Sequence, residues 1–334
     1  MARLRRTSPD QPGWSRRRAG RGFVFLDAAG ERLPEEDSAR CKALVIPPAW
    51  QEVWICPHPN GHLQAVGTDE AGRRQYLYHP DWVEQRSAAK HERVMQFGRR
   101  LPRVRERVLA DLDAAEPDLA STCALAVRLL DLGCFRIGND VYAEEYGSFG
   151  LTTLERQHVR RSGDVLVFEF TGKSGIEHRV EIDDEQAVAA LDRLRRRRTR
   201  ETGLFALRNG RGWRALTGTD VNDYLREVSG MDATAKDFRT WHGTVLAAAA
   251  LAEAPGPEAS KTARKRAVAA AMREVAEFLG NTPALARSAY VDPRVVDAYE
   301  EGRTIRAAVR RRHPDPETRR AALERATLRL VGGR

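Results

Sequence analysis

Short apolar runs punctuated by turn residues fill the first part of the chain, and apolar positions recurring every three or four residues fill most of the rest. From Gly22 onward, runs rich in β-branched and aromatic residues occur at 23–26, 43–46, 53–55, 63–66 and 75–78. This spacing predicts a small antiparallel sheet. The last two runs flank Thr68-Asp69-Glu70-Ala71-Gly72, a glycine-containing hairpin connection. After His79-Pro80 the period changes. Trp82, Val83, Val94, Phe97, Leu101, Val104, Val108, Leu109 and Leu112 recur at helical spacing between charges. Helices are predicted at 81–112, 117–133, 139–146, 184–198, 219–229, 236–253, 258–279 and 283–301. One interruption stands out: residues 165–170 and 176–182 read as two strands joined by Thr171-Gly172-Lys173-Ser174-Gly175, which sets Lys173 on a hairpin turn. The expected fold class is therefore α+β, with a small β-rich N-terminal domain at 21–90 and a larger, mostly α-helical domain at 91–334. Residues 1–20, where arginines stand among Ser, Pro and Gly, are expected to form a flexible basic arm.

Charge sharpens this picture. The 334 residues carry a formal charge of +9 and an isoelectric point near 9.7, which favours an anionic partner, with nucleic acid foremost. No apolar run approaches the roughly 20 residues that span a bilayer, so no membrane partner is expected. Cys41, Cys56, Cys123 and Cys134 stand at wide spacings without a Cys-x-x-Cys pair. That pattern argues against zinc and against a disulfide framework, and predicts buried, reduced thiols. The arginine-rich start is followed by no apolar stretch of the kind a secretory signal has, so a cytoplasmic, nucleoid-associated location is expected.

Several chemistries are disfavoured by spacing. Gly172-Lys173-Ser174 resembles the end of a phosphate-binding loop, but the glycine required five residues earlier is Val167, so no nucleotide cofactor is implied. Asp183-Asp184-Glu185 reads as a solvated helix start. His58 and His62 are separated by Pro59 and Gly61 and cannot share a helix face as a zinc pair would. What remains is a set of cationic and polar residues at turns and helix starts: Arg136 in Cys134-Phe135-Arg136-Ile137-Gly138, Lys173 on its hairpin, and Lys236-Asp237-Phe238-Arg239-Thr240. Gly280-Asn281-Thr282-Pro283 completes it, with Thr282 as N-cap and Pro283 at the first helical position, and Tyr290 follows.

In order and context these strings, together with Arg73-Arg74-Gln75-Tyr76-Leu77-Tyr78, resemble the type IB DNA topoisomerases, in particular the compact poxvirus-like form also found in bacteria. The resemblance covers nearly the whole chain after residue 20. It implies the catalytic fold shared with tyrosine recombinases, and an enzyme that relaxes supercoiled duplex DNA through a 3′-phosphotyrosyl intermediate without ATP or metal, acting as a monomer. It assigns Tyr290 as nucleophile, Arg136 and Arg239 as phosphate clamps, Lys173 as general acid and Asn281 as a further phosphate-binding group. Poxvirus-type members usually have histidine at the position of Asn281. Gln75, Tyr76, Tyr78, Tyr142 and Lys236 match DNA-contacting positions. The basic segments 99–107, 156–161 and 193–200 are candidates for phosphate contacts. A tyrosine recombinase would instead carry His-x-x-Arg where Lys236 and Arg239 stand, and a helical N-terminal domain. A non-enzymatic DNA-binding protein would have no need of Tyr290.

Overall fold

The computed structural model describes residues 3–114, 117–138, 147–197, 202–209, 212–256 and 258–333. The helix expected at 139–146, with Tyr142, lies outside them. The chain divides into two compact units, Met1–Glu92 and Arg93–Arg334.

The first unit is built on an antiparallel sheet of β1 (Trp14–Ala19), β2 (Gly22–Leu26), β3 (Gln51–Ile55), β4 (Leu63–Thr68) and β5 (Arg74–Tyr78), in the order β2-β1-β3-β4-β5. Phe25, Val53, Ile55 and Ala65 form its core with Leu33, Ile46 and Cys41, the last from α1 (Glu35–Ala43). Two expectations are corrected here. Residues 14–19 are not part of a flexible arm but the strand β1, paired with both β2 and β3. Their arginine-rich composition is accommodated because Arg16 lies 4.1 Å from the Phe23 ring centroid and donates to the carbonyls of Ile46 at 3.0 Å, Pro47 at 2.6 Å and Trp50 at 2.9 Å. Earlier still, Arg5 exchanges backbone hydrogen bonds with Asn60 and His62. Nor do residues 43–46 form a strand. They end α1, whose acidic first turn and basic last turn suit the helix dipole, and Val45 takes a left-handed φ of 49° just before Pro47-Pro48.

The second unit wraps helices around α3 (Leu119–Gly133), which is buried along most of its length and capped by Asp118, whose carboxylate accepts from the Ser121 backbone at 2.8 Å. The helix α2 (Pro80–Leu112) precedes it, and β6 (Val159–Ser162), β7 (Val165–Thr171) and β8 (Glu177–Asp183) form a three-stranded sheet. Asp184 caps α4 (Glu185–Arg195), so the expected helix start is present, but its carboxylate is not solvated: it meets buried Arg128 at 2.6 Å. A two-stranded ribbon, β9 (Ala206–Asn209) and β10 (Gly212–Ala215), leads to α5 (Gly218–Ser229), α6 (Ala235–Glu253) and α7 (Lys261–Leu279). The helix expected over 283–301 is broken. It consists of α8 (Pro283–Leu285), a π-helical turn over Ala286–Tyr290, and α9 (Pro293–Glu300). Pro293 cannot extend the preceding ladder, and Asp292 caps the new helix by accepting from the Arg294 backbone at 3.0 Å. Two further helices, α10 (Arg306–Arg310) and α11 (Pro316–Gly332), complete the chain.

Some arginines of the basic segments are engaged within the fold, while others, such as Arg103 and Arg160, stay exposed. Arg105 is 13% exposed in its side chain and reaches both Asp131 and Glu324. Arg161 pairs with Asp192 at 2.6 Å. Arg197 is buried and donates to the carbonyls of Leu194 at 3.0 Å and Leu204 at 2.9 Å.

Asp131 at the end of α3 anchors α2, α6 and α11 at once. Its carboxylate meets Arg105 at 2.8 Å, Arg320 at 2.6 Å and His242 Nε2 at 3.1 Å. Burial alone would raise its pKa, but the His242 hydrogen bond and the charges of Arg105 and Arg320 outweigh it and hold the carboxyl well below the usual carboxylate range. Because the folded value is the depressed one, this stabilisation is present above the unfolded pKa of about 3.9 and is lost as pH falls through the folded value. Asp131→Asn is expected to destabilise the protein by about 1–3 kcal/mol in urea unfolding at pH 7, since it removes a charged acceptor shared by Arg105, Arg320 and His242 while Arg105 keeps Glu324. A change below about 1 kcal/mol, the range of an exposed pair, would show that the network contributes no more than surface charges do.

Candidate active site

The site is assembled where three helix ends converge. Helix α3 stops as Cys134 turns into the left-handed conformation, φ 51° and ψ 31°. Phe135 then buries itself against Phe168 and Phe170, with ring centroids 5.1 and 5.9 Å apart, which fixes the position of Arg136. Arg239 comes from the second turn of α6. The start of that helix is set by buried Asp237, which accepts from the Thr234 backbone at 2.8 Å and from Arg93 at 2.7 Å. Helix α7 ends at Gly280, whose left-handed φ of 59° favours glycine.

The arginines tie these ends together. Arg239 is 5% exposed and donates to the carbonyls of Cys134 and Leu279. Arg136 donates to the Gly280 carbonyl and to Asn281 Oδ1, both at 2.8 Å. Beyond Asn281, the Thr282 hydroxyl accepts from the Leu285 backbone at 3.3 Å and Pro283 takes the first helical position, as the sequence predicted. The π turn then presents Tyr290. Its ring centroid lies 5.3 Å from the Arg239 guanidinium carbon and 6.0 Å from the Lys236 ammonium. Behind it, the Tyr290 carbonyl is 3.3 Å from the Thr244 hydroxyl, and a Cβ on Gly243 would come within 3.0 Å of the same oxygen. Gly243 and Thr244, which form this backing surface, carried no signal in the sequence.

Among the described residues the cluster lacks the carboxylate partners that several other arginines have. Arg93, Arg105 and Arg128 each face a carboxylate, whereas Arg136 and Arg239 face none among the described residues. Burial first, then the charge of Arg239, lowers the Arg136 pKa, with Tyr290 acting in the opposite direction; a guanidinium stays protonated regardless. Arg239 Nε and Asn281 Nδ2 are buried donors without a partner among the described residues. A buried and a half-buried guanidinium that face no carboxylate among the described residues, with two donors left over, favour an anion with several oxygens.

Lys173 lies at the exposed tip of the β7–β8 turn, where Ser174 and Gly175 adopt φ of 67° and 71° and the Gly172 amide donates to the Ile176 carbonyl at 2.7 Å. The connection is five residues long, as expected, and shifted by one position to Gly172–Ile176. Its neighbour His178, unremarked in the sequence, reaches the Gly280 turn. In the first unit, Tyr76 and Tyr78 stack at 6.2 Å on the exposed face of β5. Gln75 points to the opposite face, where it donates to Asp69 at 2.8 Å, so the three candidates do not form one surface. Among the described residues there is no group of three or more side chains suited to hold a metal ion, and no helix is long and apolar enough to cross a membrane.

Buried Arg239 thus lies against the Tyr290 ring, with half-buried Arg136 close by and no carboxylate facing either among the described residues. Comparison with known proteins identifies the class. Residues 79–311 match the catalytic core of eukaryotic DNA topoisomerase I, and residues 22–69 match the N-terminal domain of bacterial DNA topoisomerase IB. The chain belongs to the type IB DNA topoisomerase family, an isomerase family, with an N-terminal domain of the bacterial type. It is 27% identical over 295 residues to DNA topoisomerase 1B of Acanthamoeba polyphaga mimivirus, covering 86% of this chain and 88% of that protein. It is 22% identical over 244 residues to DNA topoisomerase 1B of Vaccinia virus (strain Copenhagen), covering 71% and 72%. With DNA topoisomerase 1 of Rabbit fibroma virus (strain Kasza) it shares 23% over 234 residues, or 70% of each chain.

Proposed function

We propose that this protein relaxes both positively and negatively supercoiled duplex DNA by breaking one strand transiently through a 3′-phosphotyrosyl bond at Tyr290, as a monomer, without ATP or metal. The observation that carries the reading is the pair Arg136 and Arg239, gathered near the Tyr290 ring with no carboxylate facing them among the described residues.

In the reaction, the phenolic oxygen gives its proton to solvent water and bonds to the scissile phosphorus while the bond to the 5′ oxygen breaks. Extra negative charge falls on the non-bridging oxygens, where fixed guanidinium groups and the Asn281 amide N–H meet it. The departing 5′ oxygen is a poor leaving group as an alkoxide, and Lys173 supplies its proton. One phosphodiester is exchanged for another, so the free 5′-hydroxyl can reverse the step without outside energy. While the strand is open, torsion turns the downstream duplex about the intact strand. Lys236 supports the phosphate side, and Tyr76 and Tyr78 provide DNA contacts from the N-terminal unit.

The reading is tested with supercoiled plasmids of either sign in EDTA. Complete relaxation of both is expected, and DNA affinity should fall steeply with salt, as phosphate neutralisation requires. A strict magnesium or ATP requirement would contradict it.

A further inference from the structure

The one imidazole beside the candidate site is His178, on β8. It pairs across the sheet with Phe170 and stacks on that ring, with centroids 5.2 Å apart and planes 23° from parallel. From there its edge fits between two glycines. A Cβ at Gly172, the residue before Lys173, would lie 2.5 Å from His178 Cδ2 and 2.7 Å from Nε2. A Cβ at Gly280, the residue before Asn281, would lie 2.6 Å from Cε1 and 3.4 Å from Nε2. Both glycines are therefore needed for this ring to sit where it does, quite apart from the φ of 59° at Gly280.

The two peptide segments that the ring separates carry different parts of the chemistry. Gly172 belongs to the turn that presents Lys173. The Gly280 carbonyl and the Asn281 side chain hold Arg136 at 2.8 Å each. No hydrogen bond joins the two segments directly among the described residues, and the imidazole lies against both. We propose, resting on the topoisomerase reading above, that His178 is a positioning residue that sets the Lys173 turn against the phosphate cradle of Arg136 and Asn281, and so aligns proton delivery to the departing 5′ oxygen.

The groups facing the ring are Arg136 and Arg239 on the cradle side and Glu177 on its own strand. Burial first, then the two arginines, lower its pKa against the opposing pull of Glu177. These influences favour the neutral imidazole, and it acts through shape and place. Removing it frees the Lys173 turn to drift while Arg136, Arg239 and Tyr290 keep their own anchors. A small misplacement of a catalytic group costs up to about a hundredfold in rate.

The test is single-turnover cleavage of a duplex containing one scissile site, mapped with the wild-type protein, in two forms: the ordinary phosphodiester, and the same bond with its 5′-bridging oxygen replaced by sulfur. A thiolate leaves without protonation, so the sulfur substrate bypasses proton delivery. His178→Ala, and Gly172→Ala, which pushes the ring from the Lys173 side, are expected to cleave the oxygen substrate at least about tenfold slower than wild type. Both should cleave the sulfur substrate at close to the wild-type rate, with DNA affinity and Tm of His178→Ala near wild type. Lys173→Ala, run alongside, should show the same rescue, and Arg136→Ala should remain slow on both. Wild-type speed of His178→Ala on the oxygen substrate, or an equal defect on both substrates, overturns the inference. If wild type forms no covalent adduct, or if sulfur fails to rescue Lys173→Ala, it is the underlying reading of the site that falls.

Discussion

Tyr290→Phe is expected to bind DNA as tightly as the wild-type protein while losing all strand cleavage, covalent capture and relaxation. The substitution removes one oxygen and nothing that holds the fold. The ring still lies beside Arg239 and Lys236, and the backbone carbonyl still meets Thr244. What disappears is the atom that would bond to phosphorus, and no neighbouring residue can substitute, since the reaction needs an oxygen at that place. The measurement pairs a binding titration with plasmid relaxation. Relaxation by the variant at anything near the wild-type rate would show that the nucleophile lies elsewhere; lost binding would show that the hydroxyl serves affinity.

The second large effect is expected from Arg136→Ala. Removing one fixed charge-stabilising donor should slow cleavage by about 3 to 4 kcal/mol, or two to three powers of ten. Arg136 is the cleaner of the two arginines to test. Arg239 also satisfies the Cys134 and Leu279 carbonyls, and its loss would leave buried acceptors unpaired at about 1–3 kcal/mol of stability each. Arg136→Lys should recover little, because a point charge on a flexible stem does not reproduce a planar fork. Single-turnover rates at saturating DNA separate this from affinity. A rate within about threefold of wild type, equivalent to well under 1 kcal/mol, would remove Arg136 from the reaction.

What could be read in the chain follows from how local each signal is. Thr282 and Pro283 announce their helix because a cap and its first-turn proline lie side by side. The β7–β8 hairpin is legible for the same reason. The bond from Arg136 to Asn281 spans 145 positions, and no pattern of residues along the chain encodes it. Only the resemblance to a known family drew those residues together. Charge misled twice, at β1 and at Arg105, because an arginine engaged by carbonyls, a ring face or buried carboxylates has the same sequence signature as one in solvent. The break at Tyr290–Asp292 was hidden by apolar spacing that continues through it, although Pro293 marks the place. His178 escaped because its meaning depends on two glycines, one of them on a segment about a hundred residues away.

The central claim is that the Tyr290 oxygen becomes covalently joined to a 3′ phosphate of DNA. Incubation with supercoiled plasmid in EDTA, rapid denaturation, nuclease trimming and peptide mass spectrometry test it most directly. The account predicts a nucleotide mass on the peptide containing Tyr290, with the broken strand left bearing a free 5′-hydroxyl. An adduct on another residue, or a protein-linked 5′ end, would contradict it.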